Sequence, residues 1–140
     1  TYLFLLERQM SAFSNETEAN IVNHFLRGIA VPESGDLYLA LFTVDPGETG
    51  FDNEATYIGY ERQLITFSEI DDDGNTFNAN ALLFPANLGD SQTITASAVY
   101  DSADTQAGVQ VIHGGLVTPK TLVLNDLLSF SLGSLVLNIN

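Results

Sequence analysis

Cysteine and tryptophan are absent from this chain and cations are nearly so, with four Lys and Arg against 18 Asp and Glu in 140 residues. Without a thiol there is no disulfide framework, no thiolate metal site and no cysteine nucleophile, so stability has to come from packing. A formal net charge of −14 repels phosphate backbones and anionic lipid, because nucleic-acid affinity depends on Lys and Arg displacing counterions. Neither nucleic acid nor membrane is an expected partner. Long apolar runs are missing too: Tyr2 to Leu6 is too short to cross a bilayer and lacks the basic flank of a secretory signal.

What is present is a chain able to fold. With 45% hydrophobic residues it is unlike a disordered acidic tail. At this length a chain buries roughly two-thirds of the surface its unfolded form exposes, enough for one core. Ser14-Asn15-Glu16-Thr17-Glu18 offers an N-cap oxygen and early carboxylates, and Ile21, Val22, Phe25 and Leu26 form one stripe at helical spacing. Arg27-Gly28, with Pro32 beyond, is a stop signal. The pattern predicts one helix over about 15–27, its apolar face covering an end or edge of the core.

From Asp36 onward the period changes. Leu37–Thr43, Tyr57–Phe67, Thr76–Phe84, Ile94–Tyr100, Val109–His113, Thr121–Leu124, Leu127–Ser131 and Leu135–Ile139 are rich in β-branched, aromatic and leucine residues between Gly, Pro, Asp and Asn. These short runs predict two packed antiparallel sheets. A mainly β sandwich, jelly-roll-like, fits better than a parallel α/β sheet, whose crossovers need several helices. Residues 10–140 read as one such domain carrying the helix, with 1–9 an N-terminal arm or an extra strand.

Motifs for chemistry fail when tested. Asp71, Asp73 and Asn75 imitate the first ligands of a calcium loop, but Thr76 stands where the loop needs Gly and Leu82 where it needs Glu. Asp73-Gly74 reads instead as a hairpin turn. His24 and His113 lack the spacing of a metal site or an acid/base pair. No GxSxG elbow exists, and Gly114-Gly115 is followed by no phosphate-loop Lys, marking rather a bulge or tight crossing. No catalytic residue, metal ligand or cofactor is expected.

Arg62 is the exception. It falls in a strand-like run between Tyr60 and Leu64, where an inward side chain needs a carboxylate or several carbonyls for its five donors. Glu54, Asp101 and Asp126 are the candidates, and an outward Arg on a solvent face is the alternative. Arg62 and Asp126 are thus candidate structural residues.

Leu37-Tyr38-Leu39-Ala40-Leu41, Asp45-Pro46-Gly47, Gly59-Tyr60-Glu61-Arg62-Gln63, Phe84-Pro85, Tyr100-Asp101, Gly115-Leu116, Pro119-Lys120 and Asp126 to Phe130 follow one another in an order that resembles a family of small tailed-bacteriophage virion proteins. Members are labelled tail-fibre proteins and in some phages decorate the capsid. The resemblance runs from about Ser11 to the C-terminus. It implies a virion location and a non-enzymatic structural role, with a capsid decoration or cement protein ahead of a tail-fibre or receptor- and carbohydrate-binding module. It also implies the major capsid protein or other virion proteins as partners, and a homo-oligomer, a trimer by the symmetry of β-type decoration proteins. Glycan binding would fall to loops Asp45–Ala55 and Ser102–Gly108, where Phe51, Tyr57 and Tyr100 are the available aromatics. Tyr2, Leu3, Phe4, Leu5 and Leu6 lie outside the resemblance and are expected to form either an assembly arm docked on a neighbour or a strand of the domain.

Overall fold

A computed structural model describes residues 12–48 and 50–138. Leu37-Tyr38-Leu39-Ala40-Leu41-Phe42 is apolar at both parities, as a strand covered on both faces must be. It forms β2 (Leu37–Phe42), whose last four residues are buried. β2 pairs with β3 (Gln63–Ile65) on one side and β6 (Gln92–Tyr100) on the other. With β1 (Ala12–Phe13) and β7 (Gln110–Leu122), these make an antiparallel five-stranded sheet in the order β1-β7-β6-β2-β3. Two smaller antiparallel pairs complete the strands: β4 (Asn75–Phe77) with β9 (Val136–Asn138), and β5 (Leu82–Leu83) with β8 (Ser129–Phe130). The protein is mainly β, with one short N-terminal helix.

Alternation along the strands divides the apolar side chains into two clusters. The larger joins Leu39, Leu41, Val99, Ile112 and Leu122 of the five-stranded sheet to Leu82, Phe84, Leu128, Phe130 and Leu135 from the segments carrying the small pairs. The smaller gathers Ala40, Phe42, Ala96, Ala98 and Tyr100, with Phe51 packed against it. Opposite β6, the register jumps from Ala96↔Gly115 to Ile94↔Lys120. Thr95 alone therefore faces residues 116–119 of β7, a bulge that places Pro119, which has no N–H to donate, where ladder bonding is broken. Gly114-Gly115 leads into this bulge.

Several expected elements differ. The strand expected over Tyr57–Phe67 shrinks to Gln63–Ile65, because Tyr60 N donates to Tyr57 O (3.0 Å) and Gly59 turns at φ +97°. A Cβ on Gly59 would lie 2.9 Å from Ala86 O, so both backbone angle and close approach require glycine. Thr76–Phe84 is split at Asn78, while Val109–His113 and Thr121–Leu124 fuse into β7.

The helix departs most. Ser14 caps it as expected, its Oγ accepting from Thr17 N (3.1 Å), with Glu16 and Glu18 in the first turn. The α-helical part, α1, spans only Asn15–Ile21 and passes into a π-helical turn over Val22–Leu26. A π closure adds a residue to the turn and breaks the 3.6-residue stripe on which the apolar face was read. Ile21, Val22, Phe25 and Leu26 are 41% to 79% exposed, and no residue of either helical segment is buried. The contact with the sheet is polar: Thr17 Oγ1 donates to Val111 O (2.8 Å) and Ser14 N to the same carbonyl (3.0 Å).

Candidate functional site

The densest polar constellation lies where the loop after β2 and the loop between β6 and β7 meet. Glu54 is placed by backbone: it bridges Phe42, and Ala55 N donates to Leu41 O (2.8 Å). Arg62 arrives from the Tyr57–Tyr60 turn, just before β3. Arg62 Nε donates to Glu54 Oε1 (2.8 Å) and Nη2 to Oε2 (3.0 Å), a bidentate pair with both side chains at most 1% exposed. Nη1 donates to Ser102 O (2.9 Å) and Ala107 O (2.8 Å), tying down the second loop. Tyr60 Oη donates to Glu54 Oε1 (2.9 Å) and accepts from Leu41 N (3.1 Å), while Gln106 N donates to Glu54 Oε2 (2.7 Å). The guanidinium carbon sits 4.3 Å from the centroid of the Tyr100 ring, a cation–π stack.

Four donors occupy the four lone-pair positions of the Glu54 carboxylate. No acceptor is left for a substrate proton, so the group is a buried structural anion rather than a general base. The surrounding phenols are held neutral. Burial pushes Tyr57 up to about 12, and Tyr60 is raised further, first by burial and then by the Glu54 charge. Tyr100 is raised by burial as well. Because the Tyr60 ring packs on the larger core and the Tyr100 ring belongs to the smaller, the ion pair joins the two.

The loop over 45–55 is held at further points. Tyr100 Oη donates to Gly50 O (2.6 Å) and Gln110 Nε2 to Gly47 O (2.8 Å). Asp45 Oδ1 lies 2.8 Å from His113 Nδ1. Across the way, Asp101 Oδ1 accepts from Val109 N (2.7 Å), and a Cβ on Gly108 would lie 2.6 Å from that oxygen.

Of the carboxylates considered for Arg62, the structure brings only Glu54 to it. Asp126 is exposed in another turn, where its Oδ2 accepts from Val123 N (3.2 Å) and its backbone carbonyl from Asn87 N (2.8 Å). Asp71 Oδ1 accepts from Asp73 N and Asn75 N, so the acidic run closes its own hairpin turn. Among the described residues no three His, Asp or Glu are placed to hold a metal ion, and no helix is long and apolar enough to cross a membrane. The aromatics considered for glycans are not on offer: Tyr57 and Tyr100 are buried, and Phe51 is partly buried with its ring 5.4 Å from that of Tyr100. Tyr2 to Leu6 lie outside the described residues.

Sequence reading missed two buried asparagines. Asn87 Nδ2 donates to Asp90 O and Leu122 O (both 2.8 Å). Asn78 Nδ2 donates to Asn80 O (2.8 Å) and Ser131 O (2.9 Å), and its Oδ1 accepts from Leu135 N (2.8 Å). For Asn78 the available signal was Asn within a strand-like run, where it is depleted unless it replaces ladder hydrogen bonds, whereas Asn87 lies between runs and carried none.

Among the described residues the strands are all antiparallel and the best-built polar site is a saturated latch. The model of the podophage GP4 fiber I protein gp80 family matches residues 12–138, and the chain belongs to that family. It is accordingly a virion component of tailed phages with a structural role, interacting with other parts of the particle. No curated protein matches the chain.

Proposed function

We propose that this protein is a capsid decoration or cement protein: a non-enzymatic homotrimer that binds the major capsid protein and reinforces the particle through buried apolar area. We read the packing of the two small strand pairs against the five-stranded sheet as a β-sandwich of jelly-roll character, one domain over residues 10–140. The observation that carries the reading is what the surface offers. The aromatics of the two loop regions, Phe51, Tyr57 and Tyr100, are turned inward on the latch, while Ile58, Leu83, Leu88, Val123, Leu124 and Leu132 are exposed aliphatics on several loops and strand ends. Glycan sites need exposed aromatic faces, whereas protein–protein interfaces need apolar area to bury.

A second reading, a tail-fibre or receptor-binding module, is favoured by the fibre label of the family and by the fixed pair of loops over 45–55 and 102–108. Immunogold labelling of intact particles separates the two. The cement reading expects gold over heads and particles that lose genome sooner on heating when the protein is missing. Gold confined to tail tips would overturn it in favour of the fibre reading.

A further inference from the structure

Where β6 begins and β7 ends, three loop segments carry exposed aliphatic side chains: Ile58 (63% exposed), Leu88 (60%), and Val123 and Leu124 (49% and 59%). Their backbones are fixed to one another. Leu88 N donates to Ile58 O (2.9 Å). Ile58 Cδ1 lies 2.8 Å from the position a Cβ on Gly89 would take, and Leu88 Cδ1 3.7 Å from that of a Cβ on Gly59, so each side chain lies across the glycine that follows the other. Asn87, fully buried, joins the turn at 123–126 to this pair. Its N–H donates to Asp126 O (2.8 Å), its carbonyl accepts from Asn125 N (2.7 Å), and its side-chain amide spans Asp90 O, Leu122 O and Gly89 N. Aliphatics held this firmly yet left in water form a surface preorganised for an apolar contact.

The charges around this surface select the partner. A cleft of about 240 Å³ opens beside Ile58, lined also by Thr56, Asp90 and Gln92. It is preformed, because Gln92 Oε1 accepts from Thr56 N and Tyr57 N while Gln92 Nε2 donates to Thr56 Oγ1. Asp90 and Asp126 are exposed on these segments, and none of residues 56–61, 86–91 and 122–127 is a cation. A long cationic side chain suits such a cleft, its methylenes along Ile58 and its head at Asp90. A second copy of this chain is a poor source of one. It brings another formal charge of −14, and among the described residues it offers only Arg27 and Lys120, since Arg62 is buried on Glu54. We infer that Ile58, Leu88, Val123 and Leu124 form the contact for a different structural protein of the particle, one presenting apolar side chains bordered by Lys or Arg. A virion component makes such contacts on a head and on a tail alike, so this surface does not depend on the cement reading.

Incorporation into particles tests this. In cells infected with phage that make only full-length Leu88→Asp, about tenfold less of the protein or lower is expected to sediment with particles, the remainder staying free with the circular dichroism of the unaltered chain. Leu124→Asp, on the turn, and Asp90→Lys, at the cleft, are expected to do the same. Ile70→Asp, also at an exposed position (57%) but beside the acidic hairpin turn, is expected to incorporate normally. Normal incorporation of folded Leu88→Asp and Leu124→Asp, or an equal loss in Ile70→Asp, would overturn the inference. Normal incorporation of Asp90→Lys would overturn the cationic character of the partner. Purified Leu88→Asp is expected to keep the sedimentation equilibrium of the unaltered chain, and a parallel loss of self-association would overturn the different protein in favour of a second copy. Immunogold position is read separately, so gold on tail tips would sink the cement reading and leave this surface standing.

Discussion

At the scale of single residues, Arg62 and Glu54 show a charge pair working as a fastener. Both are taken out of water, so each depends on the other and on the added donors and acceptors around them. Arg62→Ala leaves the Glu54 carboxylate buried without its bidentate partner and is expected to cost about 3 to 5 kcal/mol in chemical denaturation. Arg62→Lys should recover little, since an ammonium cannot supply the planar fork that reaches Glu54, Ser102 and Ala107 at once. The double change Arg62→Met/Glu54→Leu should cost clearly less than the two single changes added. A denaturation midpoint unchanged in Arg62→Ala would show that the pair contributes nothing to stability.

At the scale of elements, strands of two or three residues cannot hold themselves by ladder bonds, and buried amides replace what the ladders lack. Asn78 joins the segment after β4 to residues 131–135, using both amide protons and the carbonyl oxygen. Asn78→Asp would aim a carboxylate at two carbonyl oxygens, those of Asn80 and Ser131, and Asn78→Ala would take the amide partner from Asn80 O and Leu135 N, while Ser131 O keeps Ser134 N. The expected loss is at least about 2 kcal/mol for each, larger for Asp at neutral pH than at pH 3, where a protonated carboxyl again donates. Thermal melts at the two pH values check the sign of that difference. The β5–β8 and β4–β9 pairs should then exchange amide protons earlier than β6 and β7.

At the scale of the whole molecule, three phenols, two buried and Tyr60 partly so, link stability to alkaline pH. Tyr57, Tyr60 and Tyr100 all have folded-state pKa values raised above the ordinary 10, chiefly by burial. The folded chain therefore holds protons that the unfolded chain releases, so stability is fully present below about pH 10 and falls as pH rises through about 12. Melting temperature should drop steeply over that interval. A titration at 295 nm should show a late phenolate step coincident with unfolding. Five tyrosines ionising together near pH 10 in folded protein would contradict the burial of the latch.

Sequence alone determined what composition and local pattern control: the mainly β class, β2 and β6, the Ser14 cap, the turn at Asp71–Asn75, the absence of thiol chemistry, and the virion family through the order of its motifs. It also singled out Arg62, because a lone cation in a strand-like run demands an explanation. It left Glu54, Asp101 and Asp126 open as partners, since partner choice depends on which loops fold over the sheet end and spacing along the chain does not carry that. Only the tertiary structure decided for Glu54, when the Tyr57–Tyr60 turn carried Arg62 under residues 102–107. It likewise decided the exposed helix, because a π turn and two hydrogen bonds to Val111 outweigh a stripe that exists only at 3.6 residues per turn. Periodicity reports what a segment can bury; which face finds a partner is settled by the rest of the molecule, and here Ile21 stays 41% and Phe25 77% exposed.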